Sequence, residues 1–570
     1  MRKPDDHDQP LTLDQVTRGM QFRRLNRREF LAFVSAGAAA AAATSVTGRL
    51  LPLQRVTAAP GGPAPKAGGT LVYAVVSVDD RFDPAATTFT SVRQITAHVC
   101  EPLVWELGPG RFYPALAESW TVSPDATTFT FKLKQGVRFH DGTPFNAEAV
   151  KFTMDRIVSP TMIAGAARGN LGPYERTDVV DEYTARIVMR RGYAPFFGYL
   201  NGYLGIVSPT AVRTMGDAKF LFNPVGTGPF VWREFVPNDH ITLVKNPNYN
   251  WASSGFSRNG PAYLDTVIIK IVPESTVRVG ALRTGEVHFI ETVDPLGLRE
   301  LQRNRSIVVI QQEQNGIPHS LLLNMSTRTD TGKPARTAEL AVRQAACFAV
   351  DRAGLTKTIY GETGKPAWNF ISPLSWGYDR VAAGMFKYDP ARAKQILDEA
   401  GWKVGRGGVR EKGGERLTFD LVFRARRDEP RSEYIQANLK DVGFDCRLLA
   451  LEVAAQRTAI LGRNYEGVYT WDPQSDPDML REVAYTRGIY NRSFYSNPQV
   501  DKWLDDAMGL VSQAARKPLY SNVQRQIMRD AIGVPFTHSL LTHAKRAEVM
   551  GEAVDGLGAT TIWYNIWLNK

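Results

Sequence analysis

The feature that most constrains this chain is a short apolar stretch, Leu31–Ala43, entered through the pair Arg27 and Arg28 and left through small polar residues. Thirteen residues cannot cross a bilayer core, which takes about 20. A basic front, a weakly hydrophobic middle rich in alanine, and small residues behind are the pattern of an export signal. Asn26-Arg27-Arg28-Glu29-Phe30-Leu31 resembles the twin-arginine export motif, with asparagine where serine or threonine is usual. A buried N-terminal helix is the competing reading. The proline- and glycine-rich run from Thr57 to Gly69 argues against it, because such a run behaves as a flexible tether. No cysteine lies near the end of the signal to take a lipid, and cleavage after Ala43 or near Ala59 fits equally. The expectation is a periplasmic protein exported already folded, with residues 1–65 as signal and tether.

About 500 residues follow, more than one core holds and enough for two or three lobes. None of this remainder is long and apolar enough to span a membrane. The formal charge of +11 is partly the leader's, since residues 1–65 carry nine Lys/Arg against five Asp/Glu. No dense basic run with interleaved aromatics remains, so nucleic acid is not an expected partner. Cys100, Cys347 and Cys446 are odd in number and far apart, which predicts buried free thiols and no disulfide framework.

Motifs that would carry catalysis are missing. His538 and His543 stand five apart, on different faces of a helix and opposite faces of a strand, so neither geometry gathers them on a metal. No H-E-x-x-H, C-x-x-C, G-x-S-x-G or Walker loop occurs. Gly226-Thr227-Gly228-Pro229-Phe230 begins like a dinucleotide loop, but its proline removes a backbone donor and Phe230-Val231-Trp232 continue as strand. No enzyme, metal or cofactor is expected.

Local patterns predict a strand from Gly69 to Val76 and another over Thr128–Leu133, where polar and apolar residues alternate. Asp141-Gly142-Thr143-Pro144 is turn chemistry, and Asn146 is placed to cap a helix over Ala147–Ile157. Further helices are predicted over Ser275–Glu286 (stopped by Gly285), Ala338–Val350, Pro390–Ala400 (ended by Gly401) and Glu433–Val442 (ended by Gly443). Short strands alternating with helices indicate an α/β or mixed α+β class.

Several stretches, taken in order, resemble the peptide/nickel-type extracytoplasmic solute-binding proteins of ABC importers. They include Ala115–Ile157, Val225–Phe235 and Leu243–Asn250, then Ala281–Ile290, Ala341–Leu355, Tyr388–Trp402 and Asn491–Asp501, and they span essentially all of the chain after the tether. The resemblance implies a two-lobed clamshell with an inserted subdomain in the first lobe. The expected divisions are 66–110, 206–275 and 536–570 for the first lobe, 111–205 for the subdomain and 276–535 for the second lobe.

It also implies a site. A peptide binder needs an anion for the ligand's amine, a cation for its carboxylate, and backbone pairing as an added strand. The family's amine-binding aspartate lies in a segment like Tyr469–Asp478, where Asp476-Pro477-Asp478 matches. The aspartate's own place falls on Pro473, one past Asp472. Asp472 is the amine candidate; capping a turn with Pro473 is the alternative. That departure opens the ligand class from peptides to opine-like, sugar-type or chelated-metal solutes. The family's carboxylate arginine follows a strand like Leu417–Phe423, where Arg424, Arg426 and Arg427 crowd together; Arg424 and Arg426 share a face if the strand continues. Arginine suits a carboxylate through its forked donors. Trp471, Trp376 and Phe89 are aromatic candidates for the pocket wall, and Asp476 stands with them as a possible contact. Asn491 and Tyr495 read as structural, and Gly226 and Gly228 as a tight turn beside the cleft. The expected function is a monomeric periplasmic receptor that closes on a peptide or other small solute and delivers it, unaltered, to an ABC permease in the inner membrane. A periplasmic enzyme on the same scaffold and a ligand sensor for a membrane receptor are the competing functions.

Overall fold

Local signals are realised in the computed structural model, which describes residues 63–570 except 79–80, 88–89, 165–166, 257, 328, 330–331, 333, 426–427, 552 and 555–560. The twin-arginine motif, Phe89, Arg426 and Arg427 lie outside the described residues. Thr128–Leu133 is a strand with Phe129, Phe131 and Leu133 buried, as its alternation requires. The helix Ala147–Val158 starts where Asn146 accepts a hydrogen bond from the Ala149 N–H at 3.3 Å. Ser275–Thr284 ends at Gly285, whose left-handed φ of +85° is open to glycine without a Cβ clash. The helix expected from Glu433 starts earlier, at Glu429, because Pro430 in its first turn is pre-set for helical φ and lacks only a donor that the turn does not use.

The strands used below are β1 (Thr70–Val75), β2 (Ala117–Val122), β3 (Thr128–Leu133), β4 (Tyr174–Asp181), β5 (Thr184–Met189), β6 (Phe230–Val236), β7 (His240–Lys245) and β8 (Thr266–Ile271). They continue with β9 (Phe289–Ile290), β10 (Ile307–Glu313), β11 (Ile317–Leu323), β12 (Gly364–Pro366), β13 (Thr418–Arg424), β14 (Asp445–Leu451), β15 (Gly467–Asp472) and β16 (Gly533–Arg546). One large sheet runs β14-β13-β15-β11-β16-β9-β1-β8-β7-β6, with β10 and β12 also paired to β16. A separate antiparallel sheet, β2-β3-β5-β4, belongs to the 111–205 region.

The two largest hydrophobic cores lie on the two halves of the large sheet. One gathers Leu71, Phe129, Phe230 and Ile269; the other gathers Leu321, Val342, Phe419 and Val534. They are the cores of two lobes, and β16 serves both. Its Gly533–Thr537 end pairs with β11, while its Leu540–Arg546 end pairs with β10. The chain therefore crosses between lobes at 314–316 and at 538–539, side by side, since Glu313 faces Leu540 and His319 faces Thr537. Two adjacent crossings make a hinge. The second lobe, expected from 276, begins at the 314–316 crossing. Residues up to 313 stay with the first lobe because β9 pairs with β1 and both β9 and β10 pair with β16. The return expected at 536 falls at 538–539 for the same reason.

Candidate ligand-binding cleft

β13, β14 and β15 are parallel, so their carboxyl ends share one edge of the second lobe. Arg424 and Asp472 are the last residues of β13 and β15, and Ile317 at the start of β11 lies opposite Asp472. In open α/β sheets ligands bind in the crevice outside such ends. Facing this edge are two first-lobe helices, α1 (Thr90–Ala97) and α3 (Phe196–Tyr203), the helix Ala147–Val158 between them being α2. The lobes touch here. The Ala194 N–H donates to the Met508 carbonyl at 2.8 Å, and a Cβ on Gly198 would stand 2.9 Å from Ser475 Oγ.

On one side of the seam the charge is acidic. Asp472 is half-buried, and its Oδ2 accepts from Gln474 Nε2 at 3.1 Å. Its carboxyl contacts that of Glu482 on α4 (Leu480–Ala484). Burial raises the Asp472 pKa, while the hydrogen bonds with Glu482 and Gln474 and the charge of Arg93 pull it down. Glu482 is pushed well up, by burial first and then by the Asp472 charge. Arg93, on α1, lies over the Tyr203 ring of α3 at 4.3 Å, and both are buried. Asp472 and Glu482 both raise the Tyr203 pKa further, after burial, which places the acidic pair against the first lobe.

On the other side it is basic. Arg424 is exposed, and its charge helps lower the pKa of Arg492, behind the larger effect of burial. Arg492 donates to the Tyr469 carbonyl at 2.8 Å and lies over the Tyr490 ring at 5.5 Å. Among the described residues neither guanidinium has a carboxylate partner. Trp471 is 36% exposed and stacks on His319 at 5.4 Å, the rings 9° from parallel. Arg431, paired with Asp428 at 2.5 Å, fixes His319 from behind with a contact of 3.2 Å to Nδ1.

Asp476 is placed otherwise than expected. Both its oxygens accept from Arg516, at 2.6 and 2.8 Å, and its side chain is 12% exposed against 3% for Arg516. A carboxylate held by a buried fork is an anchor for the loop after β15. Trp376 packs beside it, 5.2 Å from the Arg516 guanidinium and 5.8 Å from the Tyr520 ring. Asn491 and Tyr495 are hydrogen-bonded to one another, and the Tyr495 hydroxyl donates to Asp530 at 2.6 Å. Gly226 and Gly228 sit against the backbone of Val99 and His98, where any Cβ would collide. Arg93, Tyr203, Glu482 and Arg492 share the cleft without having stood out in the sequence. A separate cavity of about 500 Å³ is lined only by residues 148–217, its charges largely paired, as in Lys151–Asp155 and Arg156–Asp217. It lies within the first lobe and not between the two.

Residues 111–488 match the model of bacterial extracellular solute-binding proteins, family 5. The chain belongs to this family. Family 5 proteins serve ABC importers as the component that binds the solute, and this chain has that role. It is 28% identical over 501 residues to heme-binding protein A of Haemophilus influenzae, covering 83% of this chain and 87% of that one. It is 28% identical to the glutathione-binding protein GsiB of Shigella flexneri, covering 76% and 82%. Among solved structures it matches the periplasmic binding protein DppA of Helicobacter pylori in complex with the peptide STSA, with a TM-score of 0.71, 25% identity, and coverage of 89% and 99%. NikA of Brucella suis, solved with Fe(III)-EDTA, has a similar fold, with a TM-score of 0.76, 23% identity, and coverage of 88% and 100%.

Proposed function

We propose that this family 5 chain captures a peptide or peptide-like zwitterion between its lobes in the periplasm and passes it unaltered to an inner-membrane permease, without catalysis. The leader would send it out through the twin-arginine route, and the chain would act as a monomer. Asp472 holds the ligand's ammonium, Arg424 and Arg492 hold its carboxylates, and Trp471 supplies a flat wall. Closure turns on the crossings at 314–316 and 538–539. The observation that carries this reading is the separation of charge across one seam: an acidic pair formed by the end of β15 and α4, and beside it two guanidiniums without carboxylate partners among the described residues. One acidic pair and two arginines match a solute with one ammonium and two carboxylates, the charge pattern of glutathione. A porphyrin, with carboxylates and no ammonium, leaves the acidic side unmatched.

Thermal shift of the full chain against dipeptides, glutathione, an opine, a sugar, hemin and a chelated metal tests this. A ligand at 100 times its Kd stabilises by about 2.7 kcal/mol and is recovered chemically unchanged. Stabilisation by hemin or the sugar alone would overturn the zwitterion reading, and product formation would overturn the receptor reading.

A further inference from the structure

We propose that Glu482 and Asp472 share one proton in the empty cleft, and that a cationic ligand group displaces it to solvent. This rests on the reading of Asp472 as the ammonium contact. The two carboxyl groups are within hydrogen-bonding contact of each other. Ionised carboxylates are acceptors only, so the contact requires a proton on one of them. Glu482 Oε2 is buried and, among the described residues, no N–H or O–H donates to it, so it is an acceptor waiting for a donor.

The groups facing the pair come from every neighbouring element: Arg93 from α1, Tyr193 just before α3, Tyr199 and Tyr203 from α3, Gln474 after β15, Tyr490 after α4, and Asp478. Asp478 is itself paired with Arg481 at 2.9 Å. With Arg93 positive, Asp472 negative and Glu482 protonated, the pocket is neutral. An arriving ammonium adds a charge where the dielectric is low and charge imbalance is costly. Breaking the Glu482 O–H bond sends the proton to buffer, restores neutrality and turns the orphaned oxygen into a second acceptor for the ligand's N–H. Binding then weakens by up to about tenfold for each pH unit below the pair's titration and levels off above it. Glu482 thereby selects for a cation over a neutral group of the same shape.

Two measurements on the full chain test the proposal. Infrared difference spectra of the ligand-free wild type and Glu482→Gln at pH 7 are expected to show a protonated carboxyl band that the variant lacks. Calorimetry with glutathione and with Ala-Ala, in two buffers of different ionisation enthalpy, is expected to show one proton released per ligand. Glu482→Gln should release none and bind with a flat pH profile. Absence of the infrared band overturns the shared proton whatever the ligand. Binding to wild type without proton release overturns the displacement and leaves the receptor reading standing. If neither probe binds, the ammonium reading falls, and the infrared result alone decides whether the proton is shared.

Discussion

Asp472 and Asp476 lie four residues apart, yet their removal should have opposite effects. Asp472→Ala deletes a charge-assisted hydrogen bond to the ligand, worth about 1.5–3 kcal/mol, or about 10- to 150-fold in affinity. Its cost to folding is small, because Gln474 and the protonatable Glu482 are left without a stranded charge; about 1 kcal/mol is expected. Asp476→Ala instead strips both carboxylate oxygens from Arg516, a guanidinium only 3% exposed. Breaking a buried pair costs about 3–5 kcal/mol. The lower end applies here, since Arg516 keeps the Tyr520 hydroxyl at 2.6 Å. Urea unfolding followed by tryptophan fluorescence reads stability, and calorimetry with the best ligand of the panel reads affinity. Wild-type affinity in Asp472→Ala, or a greater loss of binding than of stability in Asp476→Ala, would refute the assignment of the two aspartates.

Gly198→Leu should prop the cleft, because its Cβ alone would come 2.9 Å from Ser475 Oγ; affinity falls about tenfold as the closed form is depopulated, and scattering profiles stop responding to ligand. Arg424→Gln and Arg492→Gln should each weaken a carboxylate-bearing ligand about tenfold, with the double variant departing from additivity, while a ligand amidated at its carboxylates is indifferent to both. His543 is buried with no hydrogen-bond partner for either ring nitrogen among the described residues, and burial lowers its pKa to about 4, below the value of 6.5 for the open chain. The unfolded state therefore binds the proton first, and stability present above pH 6.5 is lost toward pH 4 at about 1.4 kcal/mol per pH unit. His543→Leu should lose less stability than wild type between pH 7 and pH 4.5 in urea titrations; equal losses would refute the account.

Single elements were legible where a local rule was sufficient. Alternation placed Thr128–Leu133, a cap placed the start at Asn146, and a glycine placed the end at Gly285. The boundary at 276 was not legible, because a strand's sequence does not say which sheet it joins; β10 stays in the first lobe only through its pairing with β16. In the cleft, Asp472 and Arg424 were named through the family resemblance, and the structure puts both at carboxyl ends of parallel strands, where ligands of open α/β sheets bind. Arg93 and Tyr203 stand on ordinary-looking helices, and only folding carries them across several hundred residues to the acidic pair. Asp476 misled because an aspartate in a family pattern looks the same whether it meets a ligand or, as here, an arginine forty residues on.

The strand Gly533–Arg546 is a central member of the sheet in both lobes, and nearly all of the polypeptide must be made before it exists. A chain interrupted before Gly533 lacks the strand that both halves share, so neither half is an independently heritable module. Splitting this molecule for display, complementation or fragment expression should therefore be done within a loop of one half, with the shared strand supplied intact.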